Sequence, residues 1–107
     1  MKLISFVVPA YNSEKYLHTC IDSLLFDLEH VEIIIVNDGS KDNTIKIAET
    51  YQHMYPNTVK VINKLNGGHG SGINAGLEVA TGLYFKVVDS DDWMDVENTK
   101  YLVSKIA

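Results

Sequence analysis

The stretch KVVDSDDW, residues 86–93, places Asp89, Asp91 and Asp92 directly after an apolar run. Burying one unpaired carboxylate is costly, and neighbouring like charges add repulsion. Two readings are open from these residues alone. An exposed acidic turn can lead into the next helix, whose N-terminus favours negative charge. An Asp-x-Asp pair behind a buried strand also suits a divalent cation shared with a diphosphate. Mg2+ takes oxygen ligands, from one or two carboxylates plus substrate phosphates.

Three other stretches carry side chains or backbone of comparable chemistry. PAYN, residues 9–12, reads as a turn into a helix, with Pro9 fixing φ and Asn12 capping. Tyr11 within it offers a flat face on which a base could stack. NDGSKDNT, residues 37–44, is a common turn sequence, yet Asp38 could accept N–H bonds from a base or ribose hydroxyls. NGGHGSG, residues 66–72, lets backbone approach a ligand and leaves N–H groups for anions. Its spacing matches neither the dinucleotide fingerprint nor the P-loop, and His69 reads as a surface loop residue.

These stretches need elements to position them. Four short β-branched runs precede them: residues 3–8, 32–37, 59–63 and 83–88. The first two are nearly continuous in apolar character, as strands buried on both faces should be, and the fourth reads as a core strand too. Helical spacing connects them. Leu17, Cys20, Ile21, Leu24, Leu25 and Leu28 share one face of a helix from about Ser13. Ile45, Ile47, Ala48, Tyr51 and Met54 mark a second helix. Residues 72–80 suggest a third, weakened by glycine, and residues 96–106 a fourth, capped by Asp95. Alternating strand and helix predicts an α/β fold with a mostly parallel sheet. Ligands of such sheets bind beyond the carboxyl ends of the strands, where all four polar stretches fall.

The 107 residues are enough for one domain, 1–107, with a real core, and 46% hydrophobic content argues against disorder. No apolar run is long enough to span a bilayer and the N-terminus lacks a secretory pattern, so a cytoplasmic location is expected, with peripheral attachment to the inner face of a membrane as a variant. The net charge of −5, with no arginine in the chain, disfavours nucleic acid as a partner. Cys20 cannot form an internal disulfide and reads as a buried thiol.

VVPAYN, IIIVNDGSKDNT, NGGHGSGINAGL and ATGLYFKVVDSDDW stand together in the order and spacing of family 2 glycosyltransferases, and the chain resembles the N-terminal, nucleotide-sugar-binding half of that family. The resemblance implies a GT-A, Rossmann-like three-layer sandwich, cut off after the Asp-x-Asp motif. It implies transfer of a sugar from a nucleotide-diphosphate sugar, a UDP-sugar foremost, to a hydroxyl of a glycan or lipid-linked acceptor, with inversion. Pro9, Ala10 and Tyr11 would line the base pocket, and Asp38 would accept the N3–H of uracil. Gly68 and Asn74 would sit on the nucleotide, and Asp89 and Ser90 near the ribose. Asp91, with Asp89, would hold a divalent metal, Mn2+ or Mg2+.

Two departures stand out. Many members have Gly-Gly-x-x-x-Ala-Arg-Asn in the glycine segment, whereas Gly72 and Ile73 occupy the Ala and Arg positions here and Asn74 is kept. Base or phosphate contacts of that kind must then be absent or come from backbone N–H groups or Lys64. The catalytic base that the family places later in its sequence has no motif in this chain. A non-catalytic nucleotide-binding or oligomerisation module is the alternative, and an unpaired sheet edge would favour a homodimer. Nucleotidyltransferases or aspartyl-phosphate phosphatases fit poorly, because Val-Pro-Ala-Tyr stands after the first strand where a basic glycine loop or a nucleophilic Asp is needed.

Overall fold

A computed structural model of the chain describes residues 2–65, 67 and 69–90. Strand and helix alternate as the periodicity predicts: β1 (Ile4–Ala10), α1 (Leu17–Leu24), β2 (Val31–Asp38), α2 (Thr44–Met54), β3 (Val59–Lys64), α3 (His69–Val79) and β4 (Tyr84–Val87). The four strands form one parallel sheet in the order β3-β2-β1-β4.

The pleat sends alternate side chains to opposite faces. Phe6, Val8, Ile33 and Ile35 pack with Leu17, Cys20, Ile21 and Leu24 of α1 and Ala48 of α2. Val7, Ile34 and Val36 meet Ala75 and Leu77 of α3 on the other face. The result is three layers, as expected for this fold class. Every residue of β1 and β2 is buried. Each fully buried large aliphatic side chain there contributes about 1.5–3 kcal/mol relative to exposure.

The fourth strand differs from its reading as a core strand. It pairs only with β1 among the described residues, and Leu83, Tyr84 and Phe85 are 64%, 56% and 58% exposed. Its apolar run is equal in character to that of β1, but its place at the edge of the described sheet decides its burial.

The helices also differ in detail. Helix α1 starts at Leu17, not near Ser13, because the Ser13 hydroxyl is engaged elsewhere and residues 13–16 form a turn. It stops at Leu24, short of Leu28, which is exposed. The Asp27 carboxylate accepts the His30 backbone N–H (3.2 Å) and sits 2.9 Å from its ring nitrogen Nδ1, which turns the chain into β2. Met54, expected on the buried face of α2, is exposed at its last turn.

Glycine weakens α3 intrinsically by about 1 kcal/mol per residue, but packing explains it. A Cβ on Gly76 would lie 2.4 Å from Val7 Cγ1, so only glycine lets the helix lie this close to β1. The fourth helix expected over residues 96–106 lies outside the described residues.

Candidate nucleotide site at the carboxyl rim

The strands end at one rim, and side chains of the first two loops bind those loops together. Pairing of β1 with β4 stops at Val7–Val87, whereas pairing with β2 runs on to Ala10–Asn37. Pro9, which has no N–H to donate, falls in this singly paired part. Asn12 follows in the left-handed region (φ 48°), which asparagine tolerates better than most residues. It does not cap α1. Its N–H donates to Ser40 Oγ (2.9 Å), and its Oδ1 accepts the Lys41 N–H (2.8 Å), joining the β1–α1 loop to the β2–α2 loop.

A second seam lies beside the first. Ser13 N–H donates to Thr44 Oγ1 (2.7 Å) and Glu14 N–H to Asp42 Oδ2 (3.2 Å). Asp42 Oδ1 also accepts the Thr44 N–H (3.0 Å) and hydroxyl (2.5 Å). Desolvation opposes ionisation of Asp42, but these bonds outweigh it and hold its carboxyl below the usual range.

The end of β4 is tied to the same loop. Val88 N–H donates to Val7 O (2.9 Å), the buried Ser90 hydroxyl shares a 2.5 Å bond with that of Ser13, and Cys20 Sγ lies 3.7 Å from the Asp89 carbonyl oxygen. Cys20 is thus the buried thiol expected. Between these parts opens a cleft of about 440 Å3, lined by Pro9, Tyr11, Asn12, Ser13, Tyr16, Asp89 and Ser90. The Tyr11 and Tyr16 rings are both exposed there. An aromatic ring half open to solvent is a ready stacking surface.

The cleft gathers four residues singled out from the sequence: Pro9, Tyr11, Asp89 and Ser90. The Ala10 methyl is in the core at 1% exposure, so only its backbone faces the rim. Asn74 is exposed on α3 and does not line this cleft. Gly68 and Asp91 lie outside the described residues. Among the described residues no three His, Cys, Asp or Glu side chains cluster as a metal site. Three lining residues escaped the sequence reading. Asn12 and Ser13 looked like helix-start residues, and Tyr16 looked like the first turn of a helix. A second tyrosine five positions after Tyr11 was the available signal.

Asp38 is the last residue of β2, not one residue beyond it, and it stands opposite Lys64 of β3. Its buried carboxylate accepts Lys64 Nζ and the Gly67 N–H, both at 2.9 Å on Oδ1. The preceding pair, Asn37 and Asn63, is bonded side chain to side chain (3.2 Å), and Asn37 Oδ1 accepts the Ser40 N–H (3.3 Å). Gly39 makes the following turn at φ 71°, where a side chain would be strained. The rim therefore offers stacking rings, a buried carboxylate and a cationic neighbour, a set suited to an uncharged heteroaromatic ring attached to a polar, anionic tail.

Comparison with known proteins identifies the family. The glycosyl transferase family 2 model matches residues 5–107. EpsH of Bacillus subtilis (strain 168) is 45% identical over 93 residues, covering 86% of this chain and 27% of the relative. The glycosyltransferase GlyG of Streptococcus pneumoniae serotype 4 is 44% identical over 93 residues, covering 85% of this chain and 31% of the relative. Residues 1–349 of S. aureus TarS superimpose with a TM-score of 0.87 at 37% identity, over 99% of this chain and 32% of that one. The same protein in complex with UDP, and in complex with UDP-GlcNAc, gives a TM-score of 0.85. The chain spans about a quarter to a third of the length of these relatives. With its parallel three-layer sheet, its rim cleft and a family match over nearly every residue, the chain belongs to glycosyl transferase family 2.

Proposed function

We propose that this chain forms the donor side of a sugar transfer from a UDP-sugar to an acceptor hydroxyl, with inversion at the anomeric carbon. The observation that carries the reading is the cleft that brings Tyr11 and Asp89–Ser90 together at the strand ends, next along the rim from Asp38. Tyr11 stacks on the base, Asp38 accepts the N3–H of uracil, and the Asp89–Ser90 end of β4 faces the ribose. Ser90 acts there through the shape it gives the loop, because its hydroxyl is committed to Ser13. The relation to TarS, solved with UDP and UDP-GlcNAc, supports uridine diphosphate as the nucleotide.

A divalent cation, Mn2+ or Mg2+, fits the chemistry of this end of the chain: Asp89 is an exposed carboxylate at the rim, and Asp91 follows two residues later. Asp89 and Asp91 would hold it, and it would stabilise the negative charge that builds on the departing diphosphate. In the transfer, the acceptor oxygen bonds to the anomeric carbon as the bond to the diphosphate breaks. The diphosphate leaves with the electron pair, and the acceptor proton passes to a base. No residue of this chain is assigned as that base. The rim residues bind and orient the donor so that the face opposite the diphosphate is open to the acceptor.

Calorimetric titration of UDP into the folded chain, with Mn2+ and with chelator, tests the reading. Binding that requires both metal and Asp91, lost in Asp91→Asn, is the expected result. A folded chain that ignores UDP with or without metal would overturn it.

A further inference from the structure

We propose that Lys64 is a specificity-determining residue: its ammonium and the Asp38 carboxylate form a donor–acceptor pair that reads a base edge carrying a ring N–H beside a carbonyl. The proposal rests on the assignment of Asp38 to the base. It adds a second group to that recognition and a reason why one pyrimidine is chosen over another.

Three observations carry it. The parallel register sets Lys64 directly across from Asp38, so the two reach the rim side by side from adjacent strands. An ammonium has three N–H donors. Two are committed, one to Asp38 Oδ1 at 2.9 Å and one to the Leu65 carbonyl at 2.8 Å, and the side chain keeps 20% exposure. The third has no partner among the described residues. Finally, the loop after β3 closes on the same pair: the Gly67 N–H donates at 2.9 Å to Asp38 Oδ1, the oxygen that also accepts the ammonium.

The chemistry follows from polarity. A carboxylate alone can accept the N3–H of uracil, but it then faces the flanking carbonyl oxygen, which repels it. An ammonium beside the carboxylate donates to that oxygen, so the pair matches the whole N–H and C=O edge. Cytosine presents the reverse pattern, a ring nitrogen acceptor beside an amino donor, and meets both groups with the wrong sign. The chain contains no arginine to supply a fork of donors, and Lys64 is a cation in direct contact with Asp38.

The test compares UDP with CDP by calorimetry, in the presence of Mn2+, for the unaltered chain, Lys64→Met, Lys64→Arg and Asp38→Asn, with thermal melts as a folding check. We expect Lys64→Met to weaken UDP by about tenfold or more, the worth of one charge-assisted hydrogen bond, and to leave CDP unchanged. Lys64→Arg should keep most of the preference. If Asp38→Asn loses UDP but Lys64→Met leaves the UDP-to-CDP ratio unchanged, the Lys64 proposal is overturned alone. An equal loss of both nucleotides in Lys64→Met also overturns it, because that is what a purely structural strand-end pair would do. If Asp38→Asn binds UDP as the unaltered chain does, the underlying assignment of Asp38 fails as well. A measurement that needs no variant protects against misfolding: 4-thio-UDP, a poorer acceptor at the carbonyl position, should bind the unaltered chain several-fold more weakly than UDP. Equal affinity would refute the proposal.

Discussion

Two carboxylates on β2, Glu32 near its start and Asp38 at its end, sit six residues apart, so the pleat places them on the same face. Each is buried, and each is paired with a lysine of β3. They differ in what else surrounds them. Glu32 is saturated. Its Oε1 accepts the Ser5 hydroxyl (2.7 Å) and the Thr81 N–H (2.8 Å), while its Oε2 accepts the Thr81 hydroxyl (2.8 Å) and Lys60 Nζ (2.7 Å). Four bonds match the roughly four acceptor directions of a carboxylate. Burial pushes its carboxyl up, but Lys60, Thr81 and Ser5 together overcome this and hold it at about 2. The partners of Asp38 include a lysine with a donor to spare among the described residues and the N–H of Gly67 in a glycine loop.

The difference teaches how one parallel sheet divides its ends. At the amino end, Glu32 ties three strands and the turn before β4 into a closed knot with nothing left for a ligand. At the carboxyl end, the same pairing of acid and lysine meets the loop that follows β3. Helices pack on both faces of such a sheet, so its strand ends are where polar groups can face solvent.

The largest effect should come from breaking the knot. Glu32→Ala leaves Lys60, Ser5 and Thr81 without their partner; because Lys60 is itself 42% exposed and can turn to solvent, the cost falls at the low end of the about 3–5 kcal/mol for breaking a buried pair. Urea denaturation should show this as a large drop in midpoint. A loss below about 1 kcal/mol would erase the distinction between the two carboxylates.

Acid should probe the same site. A carboxyl lowered from 4.5 to about 2 stabilises the fold above pH 4.5, and that stability is lost as pH falls through the folded value. The contribution is on the order of 3 kcal/mol. Melts of the unaltered chain should fall steeply between those pH values, and the slope should flatten in Glu32→Gln.

Asp38→Asn should behave in the opposite way. We expect a stability loss of only about 1–2 kcal/mol, because the amide keeps an acceptor for Lys64 and Gly67. UDP binding, read by calorimetry, should be lost. A cost as large as that of Glu32→Ala would make Asp38 a second structural knot. Asn12→Gly should have the smallest effect, about 1 kcal/mol, since glycine keeps the left-handed backbone and loses only the bond from Lys41. A several-fold weaker UDP affinity with little change in melting would place the loop seam on the binding side of the comparison.

Much of the fold was legible because its signals are local. Ile33, Ile34, Ile35 and Val36 form an apolar run that only a strand covered on both faces requires, and it is buried throughout. The order of polar stretches after each strand located the rim, and Tyr11, Pro9, Asp89 and Ser90 do meet there. Other features were not legible. The 83–88 run looks like β1 in composition, yet its strand lies at the edge of the described sheet. Asn12 and Ser13 carry side chains that cap helices in many loops, and here they join loops separated by about thirty residues. Gly76 looked like a defect in α3 until its approach to Val7 gave it a reason.

What the sequence determined by itself is the alternation of strand and helix and the chemical types that follow each strand, because hydrophobic period and turn preference act over a few residues. The tertiary structure alone decided the strand order β3-β2-β1-β4 and the register that sets Lys64 against Asp38 and lets Lys60 reach Glu32. Those pairings join residues 26 and 28 positions apart, and no local preference encodes them. They arise when the buried faces of all the elements are satisfied at once. That is why one lysine closes a structural knot and another, four residues later, stands at the rim.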